Sequence, residues 1–126
     1  MSNKKILIIE DDRIISFTLK KYFEANKYDV DCAFDGLKGL EKIKSAYPDI
    51  IILDVNLPTI SGFYIARELK ASPVFKNIPI IFLTGLIQEI NMNQGYELGA
   101  REYLTKPFSI EYLHSKVEEH IQKQAV

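Results

Sequence analysis

The chain has 126 residues, with 16 Lys and Arg against 17 Asp and Glu, a net charge of −1 and a pI near 6.1. So even a balance leaves no basic stripe for nucleic acid, and apolar runs of four or five residues are too short to cross a bilayer. Cys32 is the single cysteine, which excludes a disulfide framework.

Nearly half the residues are apolar, an ordinary share for one globular domain, here expected over residues 1–126. No long apolar stretch follows Met1, so a reduced, cytoplasmic compartment is expected.

Residues 5–10 read as a strand apolar on both faces, as in the middle of a parallel sheet. Asp12 then caps a helix on which Ile15, Leu19 and Phe23 recur every fourth residue. Residues 28–33 alternate, with Asp29 and Asp31 between apolar neighbours, which predicts an edge strand. The pattern over 37–47 predicts a second helix with Leu37, Leu40 and Ile43 inward, ended by Pro48. A third strand covers 49–54. The turn residues Pro58 and Gly62 shape the loop that follows, and a helix is expected over 62–71 before the Ser72-Pro73 break.

The fourth strand is predicted at 79–84, since a proline is tolerated at a strand's first position. Over 86–98 a helix shows two apolar sides, Ile87, Ile90 and Leu98 on one and Met92 and Tyr96 on the other, before Gly99 closes it. One of these sides is expected to be an exposed output surface. A short fifth strand spans 101–104. A last helix over 109–124 is capped by Ser109 and carries Leu113, Val117 and Ile121 inward. His114 and His120 on it are expected to be solvated, without carboxylates at metal-ligand spacing, and Cys32 is expected in the core.

Strands alternating with helices predict an α/β fold, a five-stranded parallel sheet covered on both faces. The wet second strand and short fifth strand suit the edges of a 2-1-3-4-5 order. Ligands then bind at the carboxyl ends of strands 1 and 3, where the order switches. Glu10 and Asp11 end one of these strands and Asp54 the other.

Like unit charges about 4 Å apart repel by about 4 kcal/mol at an effective dielectric near 20. A hard divalent cation relieves that crowding, and an all-oxygen set with open water positions suits Mg²⁺. Asp11 and Asp54 are the direct ligands, Glu10 acts through water, and the backbone carbonyl of Asn56 completes the set. Lys106 and Thr84 follow neighbouring strands into the same crevice. With the metal they make a site for a phosphoryl group, which Asp54 attacks in line as nucleophile. Gly85 leaves space for a phosphoryl oxygen near its N–H.

The blocks "ILIIEDD", "IIILDVNLPTISG", "IIFLTG" and "GAREYLTKPFS" resemble the response-regulator receiver domain of two-component signalling, of the single-domain chemotaxis-regulator kind. The resemblance spans the chain and implies a doubly wound (βα)5, flavodoxin-like fold. It implies that Asp54 is the phosphoacceptor, with Glu10 and Asp11 as the acidic pair. Thr84 and Lys106 match the hydroxyl and lysine, Tyr103 matches the aromatic switch, and Lys106-Pro107 matches a bond that is cis in that family. Glu10 and Glu102 stand where Asp is commoner, and Gly85 where Ala is frequent.

The resemblance implies a phosphoprotein rather than an enzyme, with only Mg²⁺-dependent self-phosphorylation and autodephosphorylation. The partners implied are a sensor histidine kinase or phosphotransfer protein and a downstream effector or output domain. A phosphorylation-dependent dimer is left open. The surface of the fourth helix, fifth strand and fifth helix is expected to change as Thr84 is drawn in and Tyr103 turns inward. Asn56 and Leu86 flank the site and could tune hydrolysis of the acyl phosphate.

Two other chemistries fit less well. An aspartyl-nucleophile phosphatase of the haloacid-dehalogenase kind needs an acid two residues after Asp54, where Asn56 stands. A flavin site needs a phosphate loop after the first strand, and Glu10-Asp11-Asp12 would repel phosphate. A purely structural interaction domain remains the third alternative.

Overall fold

The structure is a computed structural model that describes residues 3–85 and 100–125. Its strands are β1 (Lys5–Ile9), β2 (Asp29–Ala33), β3 (Ile50–Asp54), β4 (Ile80–Thr84) and β5 (Ala100–Thr105). Its described helices are α1 (Arg13–Ala25), α2 (Gly36–Ala46), α3 (Gly62–Ala71) and a C-terminal helix (Ile110–Ala125). The helix expected over 86–98, with Leu86, Ile87, Ile90, Met92, Tyr96, Leu98 and the closing Gly99, lies outside the described residues.

The strands pair in parallel in the order β2-β1-β3-β4-β5, as the alternation of elements predicts. Period-2 alternation sorts each central strand onto two cores. Leu7, Ile9, Ile51, Leu53, Ile80 and Phe82 face Ile43 of α2 and Ile65 and Leu69 of α3. Ile6, Ile8, Ile50, Ile52, Ile81 and Leu83 face Leu19 and Phe23 of α1 and Leu113, Val117 and Ile121 of the C-terminal helix. Strands buried on both faces must be apolar throughout, which is why β1 and β3 read as continuous runs. No helix among the described residues is long and apolar enough to cross a membrane.

The helix starts follow their capping chemistry. Asp12 accepts from the N–H groups of Ile14 (2.9 Å) and Ile15 (3.2 Å). Ser109 accepts from the Tyr112 N–H at 3.1 Å. Such caps satisfy backbone donors that the helix leaves open.

Three expectations are corrected. Leu37 does not face the core: it is 48% exposed, and α2 buries Gly36, Gly39 and Ile43 instead. The helix packs so closely that a Cβ on Gly39 would lie 2.6 Å from Ile9 Cδ1, so the inward stripe runs through glycines that carry no apolar signal.

β5 is not short but six residues long, with a register irregularity opposite Ile80/Ile81 that skips the exposed Arg101.

The histidines are not solvated. His114 joins α1 to the C-terminal helix, with Nδ1 2.8 Å from the Tyr22 hydroxyl and Nε2 2.8 Å from Glu118. His120 is buried, with Nε2 3.3 Å from Glu102 and 3.9 Å from Glu119. The ligand atoms of Glu102, Glu119 and His120 lie within 4.8 Å of one another, so carboxylates do stand at metal-ligand spacing. Lys116 supplies a cation there, 3.5 Å from Glu102 and 3.3 Å from Glu119. Glu102 comes from β5, a neighbour that spacing along the helix cannot reveal.

Candidate functional site

The sheet register assembles the crevice. Ile9 pairs with Leu53, so the next residues, Glu10 and Asp54, emerge side by side at the carboxyl ends of β1 and β3. Asp54 pairs with Leu83 and Thr84 with Thr105, which brings Thr84 and Lys106 to the same end. The Lys106 N–H donates to the Thr84 carbonyl at 2.7 Å and extends the ladder by one rung. Lys106-Pro107 is cis.

Carboxylate oxygens of Glu10, Asp11 and Asp54 lie within 4.8 Å of one another. Glu10 and Asp54 are buried and Asp11 is exposed. The Lys106 ammonium forms an ion pair with Glu10 Oε1 and stands 3.4 Å from Asp54 Oδ2. Glu10 Oε2 accepts from the Asp12 N–H at 3.3 Å, so both its oxygens are engaged. That leaves Asp11 and Asp54 as the carboxylates freer to meet an ion directly. Asn56 follows on the exposed loop beyond Asp54.

Protonation reflects the crowding. Burial pushes the Glu10 carboxyl up, the neighbouring Asp54 adds to this, and Lys106 opposes it. Asp11 is also raised, by desolvation and then by Glu10 beside it. For Lys106, burial works to lower the pKa, but the bonds and charges of Glu10 and Asp54 outweigh it and the net shift is upward. Glu10 and Asp11 hold protons more tightly than free carboxyls do, chiefly because burial disfavours their charged forms.

Thr84 is buried, and its hydroxyl has no hydrogen-bond partner among the described residues. Among the described residues nothing competes with a ligand oxygen for this hydroxyl, and a buried hydroxyl left unsatisfied costs about 1–3 kcal/mol. Gly85 is exposed, and no described atom lies within 4 Å of a Cβ built on it. The all-oxygen donor set and the waiting hydroxyl fit Mg²⁺ and an anionic group together.

Tyr103 pairs with Phe82, two residues before Thr84 on β4, so Tyr103 and Thr84 lie on the same face of the sheet. The Tyr103 ring is half-buried, 5.2 Å from that of Phe82.

Ser16 escapes the sequence reading. It is fully buried on α1, and its hydroxyl donates to the Glu10 carbonyl at 2.9 Å, fixing the acidic pair to the helix. Its spacing from Leu19 and Phe23, on the inward stripe, is the signal that marks it.

Gly62 begins α3 against the backbone of Asp54. A Cβ there would lie 2.2 Å from the Asp54 carbonyl oxygen. Gly62→Ala is expected to cost about 1–3 kcal/mol through overpacking, read as a lower denaturant midpoint at unchanged slope.

Residues 6–118 match the family described as the response regulator receiver domain. The chain is 36% identical over 124 residues to the alkaline phosphatase synthesis transcriptional regulatory protein PhoP of Bacillus subtilis, covering 98% of this chain and 51% of that protein. It is 40% identical over 113 residues to the DNA-binding dual master transcriptional regulator RpaA of Synechocystis, covering 90% of this chain and 47% of that one. It therefore spans about half the length of these curated relatives.

Among solved structures, the receiver domain of Francisella response regulator 1452 superposes with a TM-score of 0.88 at 34% identity, covering 96% of this chain and 98% of that one. The chemotaxis response regulator CheY4 of Vibrio cholerae gives 0.86 at 29% identity, covering 94% and 99%. With the strand order, the acidic crevice and the family match in agreement, the chain belongs to the response regulator receiver domains of two-component signalling.

Proposed function

We propose that this chain is a phosphorylation-dependent switch whose Asp54 accepts a phosphoryl group from the phosphohistidine of a sensor histidine kinase or phosphotransfer protein. One observation carries the reading: a single ammonium, Lys106, bridges the carboxylates of two strand ends in a crevice short of positive charge. The test is whether acetyl phosphate with Mg²⁺ adds one phosphoryl group to the intact chain. No gain in mass would end the reading.

Transfer forms a bond from an Asp54 carboxylate oxygen to phosphorus as the donor's N–P bond breaks. The bonding pair stays on the imidazole, which takes a proton from solvent. Receiver domains typically use Mg²⁺; held by Asp11, Asp54 and the Asn56 carbonyl, with Glu10 through water, it would neutralise charge on carboxylates and phosphoryl oxygens. Lys106 moves from Glu10 onto one phosphoryl oxygen and the Thr84 hydroxyl donates to another, with Gly85 beside them as the residue whose N–H would meet the bound group.

The new bond draws Thr84 inward, and Tyr103, on the same face, turns into the space vacated. The surface formed by β5 and the C-terminal helix then changes for an effector or output domain. Reversing a 1:99 equilibrium this way takes about 5.5 kcal/mol of differential stabilisation.

The phosphodonor has a place to rest. A groove of about 690 Å³ beside Lys106 is lined by Ile14, Ile15, Pro107, Phe108 and Ile110, and Ile14 is 80% exposed. A charge at Ile14 is expected to slow transfer from a protein donor about tenfold or more while leaving uptake from acetyl phosphate unchanged. Parallel rate measurements on Ile14→Asp with the two donors check this.

A further inference from the structure

The loop joining β3 to α3 is pinned at both ends and strained at its tip. At the base, the Gly62 N–H donates to the Val55 carbonyl at 2.8 Å. At the tip, Thr59 has a φ of 69°, left-handed backbone that a β-branched residue rarely adopts. Such conformations persist only where their surroundings over-determine them, and they gather at functional sites.

The start of α2 over-determines this one. The Leu37 N–H donates to Thr59 Oγ1 at 3.0 Å, and the Thr59 hydroxyl donates to Asp35 Oδ1 at 3.3 Å. The same Asp35 oxygen accepts from the Lys38 N–H at 2.9 Å and caps α2. The Gly36 N–H donates to the Pro58 carbonyl at 3.0 Å. A Cβ on Gly36 would lie 2.0 Å from the Ile60 carbonyl oxygen, so the two segments meet backbone to backbone. Glycine would take the Thr59 conformation freely. What threonine adds in exchange for the strain is a hydroxyl used both as donor and as acceptor.

Between the pinned base and the pinned tip lie Asn56, Leu57 and Pro58. We infer that Thr59 is a positioning residue for the metal site: its hydroxyl clamps this loop to the first turn of α2 and so sets where the Asn56 carbonyl stands relative to Asp11 and Asp54. The inference rests on the Mg²⁺ reading of the crevice. It makes the start of α2, which touches no reacting group, a remote handle on metal affinity.

The test is a Mg²⁺ titration of the whole chain, followed by backbone amide shifts, with far-UV circular dichroism to verify folding. Thr59→Val keeps the branched carbon and loses the hydroxyl. Thr59→Gly loses the hydroxyl and the backbone strain together, so it folds even if the valine variant does not. Both are expected to weaken Mg²⁺ binding about tenfold, the lower end of what loss of an outer-shell support costs. Thr59→Ser restores the hydroxyl and is expected to bind as the wild type does. Wild-type affinity in the folded hydroxyl-free variants, or a serine variant as weak as they are, overturns the inference while leaving the metal reading intact. A wild type that binds no Mg²⁺ overturns the metal reading and this inference with it.

Discussion

Asp54→Ala is expected to gain no phosphoryl group from acetyl phosphate and Mg²⁺ under conditions where the wild type gains one. The effect is all-or-none on the proposed mechanism, in which the side chain supplies the bond itself and not only its stabilisation. Asp54 is buried and has the Lys106 ammonium 3.4 Å from Oδ2, so its carboxylate is held at one place at the end of β3. Neither neighbour takes over easily. Glu10 has one oxygen on Lys106 and the other on the Asp12 N–H, and Asp11 is exposed.

Thr84→Ala and Lys106→Met keep Asp54 and remove a group proposed to meet the phosphoryl oxygens. Each is expected to slow uptake by about 10²–10³, the usual cost of removing one preorganised donor, without abolishing it. Intact-mass measurement over time separates the two behaviours. Uptake by Asp54→Ala at the wild-type level would place the acceptor elsewhere and end the assignment.

The crevice was legible in the sequence because two levels of pattern converge on it. Apolar runs buried on both faces identify β1, β3 and β4 as central, and the alternation of strands with helices makes the sheet parallel. Once the strands are parallel, residues that end them must gather at one edge, so Glu10, Asp54, Thr84 and Lys106 follow from topology without knowledge of any contact. Asp12 and Ser109 were legible for a local reason, since a cap needs only a side-chain oxygen before a helical pattern.

What stayed hidden depends on neighbours distant in sequence. Leu37 carries the apolar signal of an inward residue, but close packing of α2 on Ile9 turns the glycine stripe inward. His120 looks like a surface residue until Glu102 of β5 is set 3.3 Å away. The positive φ of Thr59 could not be read at all, because composition points to Gly or Asn for such backbone and the threonine is held there by Asp35 and Leu37. The ion pair of Lys106 with Glu10 was hidden as well. The sequence places the two residues at one edge, but the engagement of both Glu10 oxygens depends on where the Asp12 N–H and the Lys106 ammonium come to lie in the fold.

That engagement leads to the second large effect. Mg²⁺ is expected to raise the unfolding temperature, and the increment is expected to grow as pH rises from acid toward neutral. A ligand that binds only the folded state at about 100 times its dissociation constant contributes about 2.7 kcal/mol, or about 10 °C for a domain of this size. The sign follows from the carboxyls. Glu10 and Asp11 both have folded-state pKa values raised above their ordinary ones, first by burial. Between the unfolded and folded values the native chain binds more protons than the unfolded chain. The metal-free protein therefore loses stability as pH climbs through that window. Mg²⁺ must displace those same protons, so it binds weakly below the window and fully above it.

Lys106, also raised, holds its proton throughout this range. Its stabilising contribution is present below its unfolded pKa and is lost only in alkali, so it does not alter the trend. Asp11→Asn separates the contributions: removing one like charge is expected to raise metal-free stability while removing most of the Mg²⁺ increment. Paired melting curves with and without Mg²⁺ across a pH series check both claims. An increment that stays flat or shrinks on the way to neutral pH means that the crowded carboxylates are not what the ion neutralises.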